Sequence, residues 1–258
     1  MKQLLSKAMA NGKFWTHSKQ LVEGCTKVSP GCLNCWSESA CYIHSKASGS
    51  GFSPDVFTGK GFNGKIIEHP ERLADILPKS RRRAPRVWTY WNDLFHPGVS
   101  NEFRDKLHRM IGHSDDYHII CTKRPEEVVK YWQRSHTAGA LPIRKKKLIY
   151  LITIEDQERA WSRVPHAAEL ALMGWTVGAL IEPMLGPVVI DRFVLSESGP
   201  QLLFKWIICG PENGPGKRQF KQEWAMRLQS QAMAANIPFF YKDGLLNGKE
   251  YLEAPEAW

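Results

Sequence analysis

Short apolar segments alternate with amphipathic ones along most of the chain. Residues 148–154 form a continuous apolar run, which is typical of a strand buried on both faces of a sheet. Further strands are predicted over 14–16, 86–90, 117–122, 176–181, 205–209 and 237–241. Helices are predicted over 70–77, from Ser100, from Pro125, over 160–172 and over 222–235. Ser100 is a suitable N-cap, and the apolar residues that follow it recur at helical spacing.

This alternation of strands and helices predicts an α/β fold with a parallel sheet. At 258 residues, a (β/α) barrel, partial or closed and TIM-like, is favoured over an open doubly wound sheet, which stays as the alternative. No internal repeat divides the chain, so we expect one domain over 1–258. A glycine-rich insertion over 46–64 interrupts the pattern, and its length favours a lid over a plain surface insertion.

Composition changes the expected partners and location. Lys and Arg number 35 against 26 Asp and Glu, a formal net charge of +9. This excess favours a polyanion such as nucleic acid, with simple solubility as an equal alternative. No apolar run approaches the ~18–20 residues of a membrane span, and the first residues lack the apolar stretch of a secretory signal. We therefore expect a cytoplasmic protein without a membrane partner.

Polar residues follow the ends of most predicted strands. Because active sites of parallel α/β folds lie at the carboxyl edge of the sheet, these residues predict one shared polar pocket. A single member has simpler explanations, such as a helix N-cap for Asp156. The set comprises Asn92, Asp93, Lys123, Arg124, Glu155, Asp156, Glu182, Glu212, Lys242 and Asp243.

Three of the six cysteines are close together in the chain, in a segment over 24–36. Cys25, Cys32 and Cys35 have the spacing C-x6-C-x2-C, and Pro30-Gly31 predicts a turn just before Cys32. In a reducing compartment, clustered thiols indicate metal or redox chemistry rather than disulfides. The segment over 24–36, which we call the cysteine loop, is therefore a candidate metal site.

Two kinds of metal centre are open to such a loop. Structural zinc takes four protein ligands, and Cys41 or His44 would supply the fourth. An iron–sulfur cluster held by only three thiolates leaves one iron open to another ligand. If a helix begins at Trp36, Cys41 lies on a different face from Cys35, which favours the three-thiolate cluster.

The cysteine loop, with its sequence from Gly24 to Cys35, resembles the signature of a phage- and prokaryote-encoded family of radical-SAM-like proteins that carry a three-cysteine motif. The similarity extends over nearly the whole chain from about residue 14. Two departures leave the cysteines unchanged but affect substrate identity: Trp36-Ser37 replaces the family's Tyr-Ala, and Pro211 and Asn213 alter its Gly-Gly-Glu-Ser-Gly block. Other segments that carry the resemblance are 92–96, 122–125, 181–187, 210–216 and 237–240.

The resemblance implies a radical S-adenosylmethionine enzyme with a (β/α) barrel of the radical-SAM type, partial or closed. Cys25, Cys32 and Cys35 would hold a [4Fe–4S] cluster, and S-adenosylmethionine would bind its open iron. An external electron donor would be a further partner. The implied cofactor-binding residues are Asn92, Asp93, Lys123, Arg124 and Glu155. Trp36 would cover the adenine, with a place in the core as an equal alternative. Glu182, Glu212 and Lys242 would face the substrate or carry protons.

The expected substrate is a base of nucleic acid, with DNA favoured by the phage character of the family and by the basic charge. The expected reaction is an isomerisation or rearrangement of a substituent on a modified base, for which the base must leave the stack. Three alternatives stay open: a small-molecule substrate, a lyase that repairs a base lesion, and a non-catalytic nucleic-acid-binding protein stabilised by zinc.

Overall fold

The computed structural model describes residues 2–77, 85–137, 147–190, 194–195, 201–214 and 216–256. Its helices are α1 (Lys2–Met9), α2 (Trp36–Ser45), α3 (Asn101–His113), α4 (Pro125–Thr137), α5 (Gln157–Leu172) and α6 (Gln222–Ala234). Three short 3₁₀ helices cover Pro30–Cys32, Pro54–Val56 and Pro70–Ile76.

The strands are β1 (His17–Lys19), β2 (Val22–Glu23), β3 (Phe57–Thr58), β4 (Gly61–Phe62), β5 (Ile67–Glu68), β6 (Val87–Tyr90), β7 (Tyr117–Thr122), β8 (Leu148–Thr153), β9 (Thr176–Ile181), β10 (Val194–Leu195), β11 (Gln201–Leu202), β12 (Ile207–Cys209), β13 (Phe239–Leu246) and β14 (Lys249–Leu252). Eight of them form one sheet in the order β1-β6-β7-β8-β9-β12-β13-β14. All its neighbours pair in parallel except β13 and β14, which form an antiparallel hairpin.

The two faces of this sheet pack against different elements. Along β8, Leu148, Tyr150 and Ile152 join the core under helices α3 to α6, while Ile149 and Leu151 point to the other face. That other face is covered by α1, whose Leu5 and Met9 are fully buried. Successive residues of a strand point to opposite faces, so the unbroken apolar run from Leu148 to Ile152 follows from burial on both sides.

Strand order and helix placement identify the architecture. Along the main sheet the strands follow one another in chain order, and α3 to α6 pack on the same face, so the sheet is singly wound rather than doubly wound. It ends at β1 and β14 without pairing between these edges in the described residues. The expected α/β fold with a parallel sheet is confirmed, whereas the closed form of the barrel is wrong. The antiparallel hairpin of β13 and β14 occupies the edge at which closure would need another parallel strand.

Individual elements agree with the sequence pattern to different degrees. The strands predicted over 117–122 and 176–181 match β7 and β9. Ser100 caps α3 as expected, since its Oγ accepts a hydrogen bond from the Phe103 amide at 3.1 Å. Asp156 likewise caps α5. The strand predicted over 14–16 is wrong: β1 begins at His17, because Phe14 is buried in the core beside α1 instead.

The structure also tests whether a helix spans a membrane. Within the part of the chain that the structure describes, none of the helices combines the length and the apolar character that a bilayer crossing requires.

Packing of α1 on the sheet predicts the effect of truncating Leu5. Leu5→Ala removes a fully buried side chain, so the free energy of unfolding should fall by about 2–5 kcal/mol. The matched control is Leu172→Ala, also in a helix but 73% exposed, which should change stability by less than about 0.5 kcal/mol. Urea unfolding of the three proteins measures both values. Equal stability of the two variants would contradict the packing of α1.

Candidate functional site

A cavity of about 450 Å³ opens at the carboxyl edge of the sheet. Thr89, Cys121, Thr153 and Leu180, at or near the ends of four parallel strands, line it. Lys242 also lines it and follows the part of β13 that pairs in parallel with β12. The cavity is large enough for a nucleoside-sized ligand. Predicted site residues that line the cavity are Cys25, Cys32, Cys35, Trp36, Asn92, Asp93, Lys123, Arg124, Glu182, Glu212 and Lys242.

The three cysteines of the cysteine loop all line this cavity. Gly24 starts the loop at φ 84°, in contact with the backbone of Lys65, where a Cβ atom would not fit. Pro30 opens the 3₁₀ turn that ends at Cys32, as the Pro-Gly pair predicted, and α2 begins directly after Cys35. Cys25, Cys32 and Cys35 therefore reach one cavity from three points of a single loop.

The first anchor of the loop is the buried ion pair of Asp93 and Arg124. Arg124 Nη1 lies 2.8 Å from Asp93 Oδ2, and its Nη2 donates to Thr26 O and Oγ1 at 2.8 and 3.0 Å. The same guanidinium donates to Cys25 Sγ at 3.8 Å. Burial raises the pKa of the Cys25 thiol to about 11, Asp93 adds to the increase, and Arg124 opposes it. Arg124 thus positions the loop through Thr26 and stabilises the Cys25 thiolate.

Glu155 forms the second anchor. It is fully buried, and its Oε1 accepts a hydrogen bond from Ser29 Oγ at 2.6 Å, while Arg163 Nη1 lies 2.7 Å from its Oε2. A Cβ atom at Gly31 would overlap the Glu155 side chain, so glycine allows the loop to pack directly on the carboxylate. Glu155 lies beneath the loop rather than in the cavity wall, which assigns it to holding the loop.

The third anchor is Glu212. Arg218 donates to both of its carboxylate oxygens, and Asn34 Nδ2 donates to Oε2 at 3.1 Å. Arg218 also reaches the loop backbone, since its Nη2 donates to Pro30 O at 2.9 Å. Hydrogen bonds from Arg218 are the largest of the effects that hold the pKa of Glu212 at about 2. Glu212 is therefore an ionised carboxylate whose described contacts hold the cysteine loop in place.

Glu182 and Lys242 form a different kind of pair. Lys242 Nζ donates to Glu182 Oε1 and Oε2 at 2.6 and 2.5 Å, and Asn213 Nδ2 donates to Oε1 at 3.3 Å. The ammonium also lies 5.3 Å from the centre of the Phe14 ring and 5.7 Å from that of Trp15. All five residues line the cavity, and the described contacts of the pair do not include the cysteine loop.

Asn92 and Trp36 lie where the loop passes into α2. Asn92 has φ 58°, and its amide accepts from Ser37 Oγ at 2.6 Å and donates to Val22 O at 2.9 Å. Trp36 is 55% exposed and meets Trp91 edge-on, with ring centres 5.4 Å apart. Asn92 is thus a structural link between α2 and the chain before the loop, and the two tryptophans form an aromatic wall.

Two cationic side chains, Lys123 and Arg124, line the cavity beside the cysteine loop, and Lys123 has the weaker contacts with the rest of the protein. Its Nζ is 3.8 Å from Glu155 Oε1, and its side chain is 23% exposed. Arg124, by contrast, is engaged by Asp93 and Thr26. Of the two neighbouring cations, Lys123 is the better placed to bind an anionic group in the cavity.

The residues that would complete a zinc site lie elsewhere. Cys41 is buried, with its Sγ 3.7 Å from Gln20 Nε2 and 3.9 Å from Ser37 Oγ. His44 stacks on Phe52 with ring centres 4.9 Å apart. Neither lines the cavity that the three thiols share. Among the described residues, no three His, Cys, Asp or Glu side chains are close enough together to hold a single metal ion.

The sequence pattern did not identify several residues that build the site. Ser29, Asn34, Arg163 and Arg218 mediate the anchoring, but their partners are set by the fold rather than by spacing: Ser29 and Glu155 are 126 positions apart. The sequence pattern predicts a strand at Phe14 and Trp15 and gives no sign that they line the cavity. An arginine within a few positions of a strand-end carboxylate is too common in sequences to identify the pair as an anchor of the loop.

A family model described as "Protein of unknown function (DUF5131)" matches residues 13–251. No curated protein and no solved structure matches the chain significantly. The matched region contains the cysteine loop, its three anchors and the pair of Glu182 and Lys242, so the whole site lies within the part that defines the family. Helix α1 precedes it.

Glu212 gives a prediction about acid stability. Because folding lowers its pKa from 4.5 to about 2, its contribution is complete above pH 4.5 and is lost as the pH falls towards 2. Glu212→Gln should be less stable than the wild type at pH 7, and its free energy of unfolding should fall less steeply between pH 4.5 and 2. Urea unfolding of the metal-free protein across this range measures the slopes. Parallel curves would show that the Glu212 anchor contributes nothing.

Proposed function

The chain belongs to the DUF5131 family of proteins of unknown function, and from the geometry of its site we propose that it is a radical S-adenosylmethionine enzyme. In this proposal Cys25, Cys32 and Cys35 hold a [4Fe–4S] cluster, S-adenosylmethionine is the cosubstrate, and an external donor supplies electrons. The substrate is a base of nucleic acid. The reaction is an isomerisation or rearrangement of a base substituent.

One observation carries the proposal: three cysteines of a single loop line one cavity, and Cys41, the next cysteine along the chain, does not. Cys121 also lines the cavity, but it belongs to β7 rather than to the loop. Three thiolates are the donor set that leaves one iron of a cluster open. A four-iron cluster is also wider than a single ion, so its thiolates stand farther apart than the ligands of one zinc. The residues present therefore fit the cluster better than a closed zinc site.

The sheet supports the same proposal at the level of the fold. A singly wound parallel sheet with α3 to α6 on one face is compatible with an open (β/α) half-barrel, and its carboxyl edge carries the cavity. The resemblance of the cysteine loop and of the segments after the strands implies a barrel of the radical-SAM type, partial or closed, and the open sheet is compatible with the partial form. Fold and motif thus point to one family of chemistry.

When bound, S-adenosylmethionine supplies a 5′-deoxyadenosyl radical after its one-electron reduction, which can remove a hydrogen atom from an unreactive carbon. The residues of this chain orient and shield that chemistry. Lys123 binds the cofactor carboxylate, and Trp36 with Trp91 packs on the adenine. Asp93, Glu155 and Glu212, each paired with an arginine, hold the cysteine loop in position at the cavity.

Glu182 and Lys242 face the substrate in this proposal, because they line the cavity and are not part of the described loop anchors. A proton can pass from the Lys242 ammonium to the Glu182 carboxylate without changing the net charge of the pair. Such a pair suits a reaction that moves a base substituent and needs proton transfer. The net charge of +9 favours a polyanionic substrate such as DNA. A base inside a duplex must leave the stack to reach such a cavity.

Cluster ligation predicts opposite results for two cysteine variants. After anaerobic reconstitution with iron and sulfide, the wild type and Cys41→Ser should bind about four irons per chain and be brown, as a [4Fe–4S] protein is. Cys32→Ser should lose most of the iron, because two thiolates do not hold the cluster. Metal analysis and the visible spectrum give both readouts. Loss of metal from both variants, with zinc as the bound ion, would contradict the proposal and support a closed four-ligand site.

Cofactor cleavage tests the activity itself. Reconstituted wild-type protein given dithionite and S-adenosylmethionine should produce 5′-deoxyadenosine, measured by liquid chromatography with mass detection. Lys123→Met should need a higher concentration of S-adenosylmethionine while keeping its cluster, since it loses a charge-assisted contact to the carboxylate. A reconstituted protein with a full cluster but no 5′-deoxyadenosine would refute a radical mechanism.

A further inference from the structure

The outer face of α2 carries large apolar side chains. Trp36 and Ile43 are seven positions apart, which places them on one face of the helix, and they are 55% and 67% exposed. On the inner side of the helix, Ser37 and Cys41 are buried. An amphipathic helix ordinarily buries its large apolar side chains, whereas α2 exposes two of them. Exposed apolar patches of this kind commonly mark sites of interaction with another molecule.

The cysteine loop continues this apolar face. Leu33 lies between two of the loop's cysteines in the sequence and is 61% exposed. Lys27 Nζ donates to Leu33 O at 3.5 Å and lies 3.3 Å from Glu38 Oε2, so Leu33 is held beside the first two turns of α2. We call this surface the α2 patch; it consists of Leu33, Trp36 and Ile43.

Exposed charges next to the α2 patch are positive. The Lys27 side chain is 52% exposed, and Lys46 is exposed one turn beyond the patch. Lys217 is also exposed and follows Gly216, whose carbonyl is bonded to the cysteine loop. Glu38 is the single acid among residues 24–47, and its side chain is only 13% exposed and paired with Lys27. Charge complementarity therefore favours an acidic partner.

The side chains of the patch favour a protein over a nucleic acid. Leu33 and Ile43 are aliphatic, whereas single-stranded nucleic acid is bound mainly by aromatic rings that stack on its bases. An apolar centre with a charged rim is the usual anatomy of a protein interface. The α2 patch therefore fits an acidic protein with an apolar contact surface of its own.

The place of the patch selects the kind of protein. In the proposed function, electrons enter at the cysteine loop, and Leu33 belongs to that loop. Trp36 both belongs to the patch and lines the cavity that the three cysteines share. A partner seated on the patch would therefore lie directly against the loop that holds the cluster.

We propose that the α2 patch is the docking site of an acidic electron-transfer protein that carries a flavin or an iron–sulfur cluster. This inference rests on the proposed function, in which an external donor supplies electrons. The donor's cofactor is oxidised by one electron and the cluster at the cysteine loop is reduced by one, with no bond formed or broken. Complexes of this kind have small interfaces and are weak, which agrees with a patch of three side chains.

Binding of a purified flavodoxin, an acidic protein that carries one flavin, tests the surface directly. Isothermal titration calorimetry uses the full-length, metal-free protein, because the ion pairs that anchor the cysteine loop need no cluster. The affinity should fall about tenfold or more between about 0.1 M and about 1 M salt, since screening weakens the attraction of the acidic partner. No binding at the lower salt concentration, or an affinity that does not change with salt, would overturn the proposal.

Matched variants locate the binding on α2. Ile43→Glu and Leu172→Glu introduce the same charge at exposed positions of α2 and α5. Ile43→Glu should weaken flavodoxin binding about tenfold or more, because it places a carboxylate against an acidic partner, whereas Leu172→Glu should change it less than about twofold. Lys46→Glu and Lys249→Glu, both at exposed positions, form a second pair with the same expectation. Circular dichroism verifies folding.

Two results with these variants would contradict the assignment. Equal affinity of folded Ile43→Glu and Leu172→Glu for flavodoxin would show that the α2 patch is not the docking site. If Ile43→Glu instead weakens the binding of a single-stranded oligonucleotide and leaves flavodoxin binding unchanged, the surface belongs to nucleic acid and the proposal is wrong.

Electron delivery gives a second readout on the reconstituted protein. Reduced flavodoxin should bleach the visible absorption of the cluster about tenfold more slowly in Ile43→Glu than in the wild type. Dithionite, a small reductant that needs no docking surface, should reduce both proteins at the same rate. Equal rates of reduction by flavodoxin would overturn the proposal.

The docking surface and the proposed function fail in different ways, since calorimetry needs neither iron nor S-adenosylmethionine. Flavodoxin binding that is lost in Ile43→Glu, by a protein that forms no cluster, would refute the radical mechanism and leave a docking site for an acidic protein. Formation of 5′-deoxyadenosine with flavodoxin at equal rates by the wild type and Ile43→Glu would refute only the docking surface.

Discussion

Three carboxylates at the carboxyl edge of the sheet hold the cysteine loop. Each is paired with an arginine: Asp93 with Arg124, Glu155 with Arg163, and Glu212 with Arg218. Isolated charges are costly to bury, so each anchor is stable only when its partner and its contacts with the loop are in place. The position of the three thiols in the cavity depends on this arrangement.

The arrangement leaves the cavity with two chemically different parts. The cysteine loop lines one part, together with Lys123, whose Nζ lies 3.8 Å from the nearest Glu155 oxygen. The pair of Glu182 and Lys242, with Asn213 and two aromatic rings, occupies another. Of the carboxylates Asp93, Glu155, Glu182 and Glu212, only Glu182 is not tied to the cysteine loop through its described partners. In the proposed function, a cofactor at the loop and a base at the pair would therefore share this one open cavity.

Sequence reasoning predicted the parallel sheet and the residues that gather at its edge, because apolar runs and the charges after them are local features. It could not assign Glu155 and Glu212 to loop anchoring, since Ser29 and Arg218 become their partners only in the folded chain. The hairpin of β13 and β14 was missed although its turn, Asn247-Gly248, is a strong hairpin signal. Closure of the barrel depends on how the edge strands end, which periodicity does not specify.

Mössbauer spectroscopy of protein reconstituted with ⁵⁷Fe tests the central claim most directly, because it distinguishes individual irons within a cluster. The proposed function requires a [4Fe–4S] spectrum in which one iron differs from the other three once S-adenosylmethionine is added, as expected for an iron without a cysteine ligand. Four equivalent irons that do not respond to S-adenosylmethionine, or an isolated iron held by the three thiolates, would contradict it.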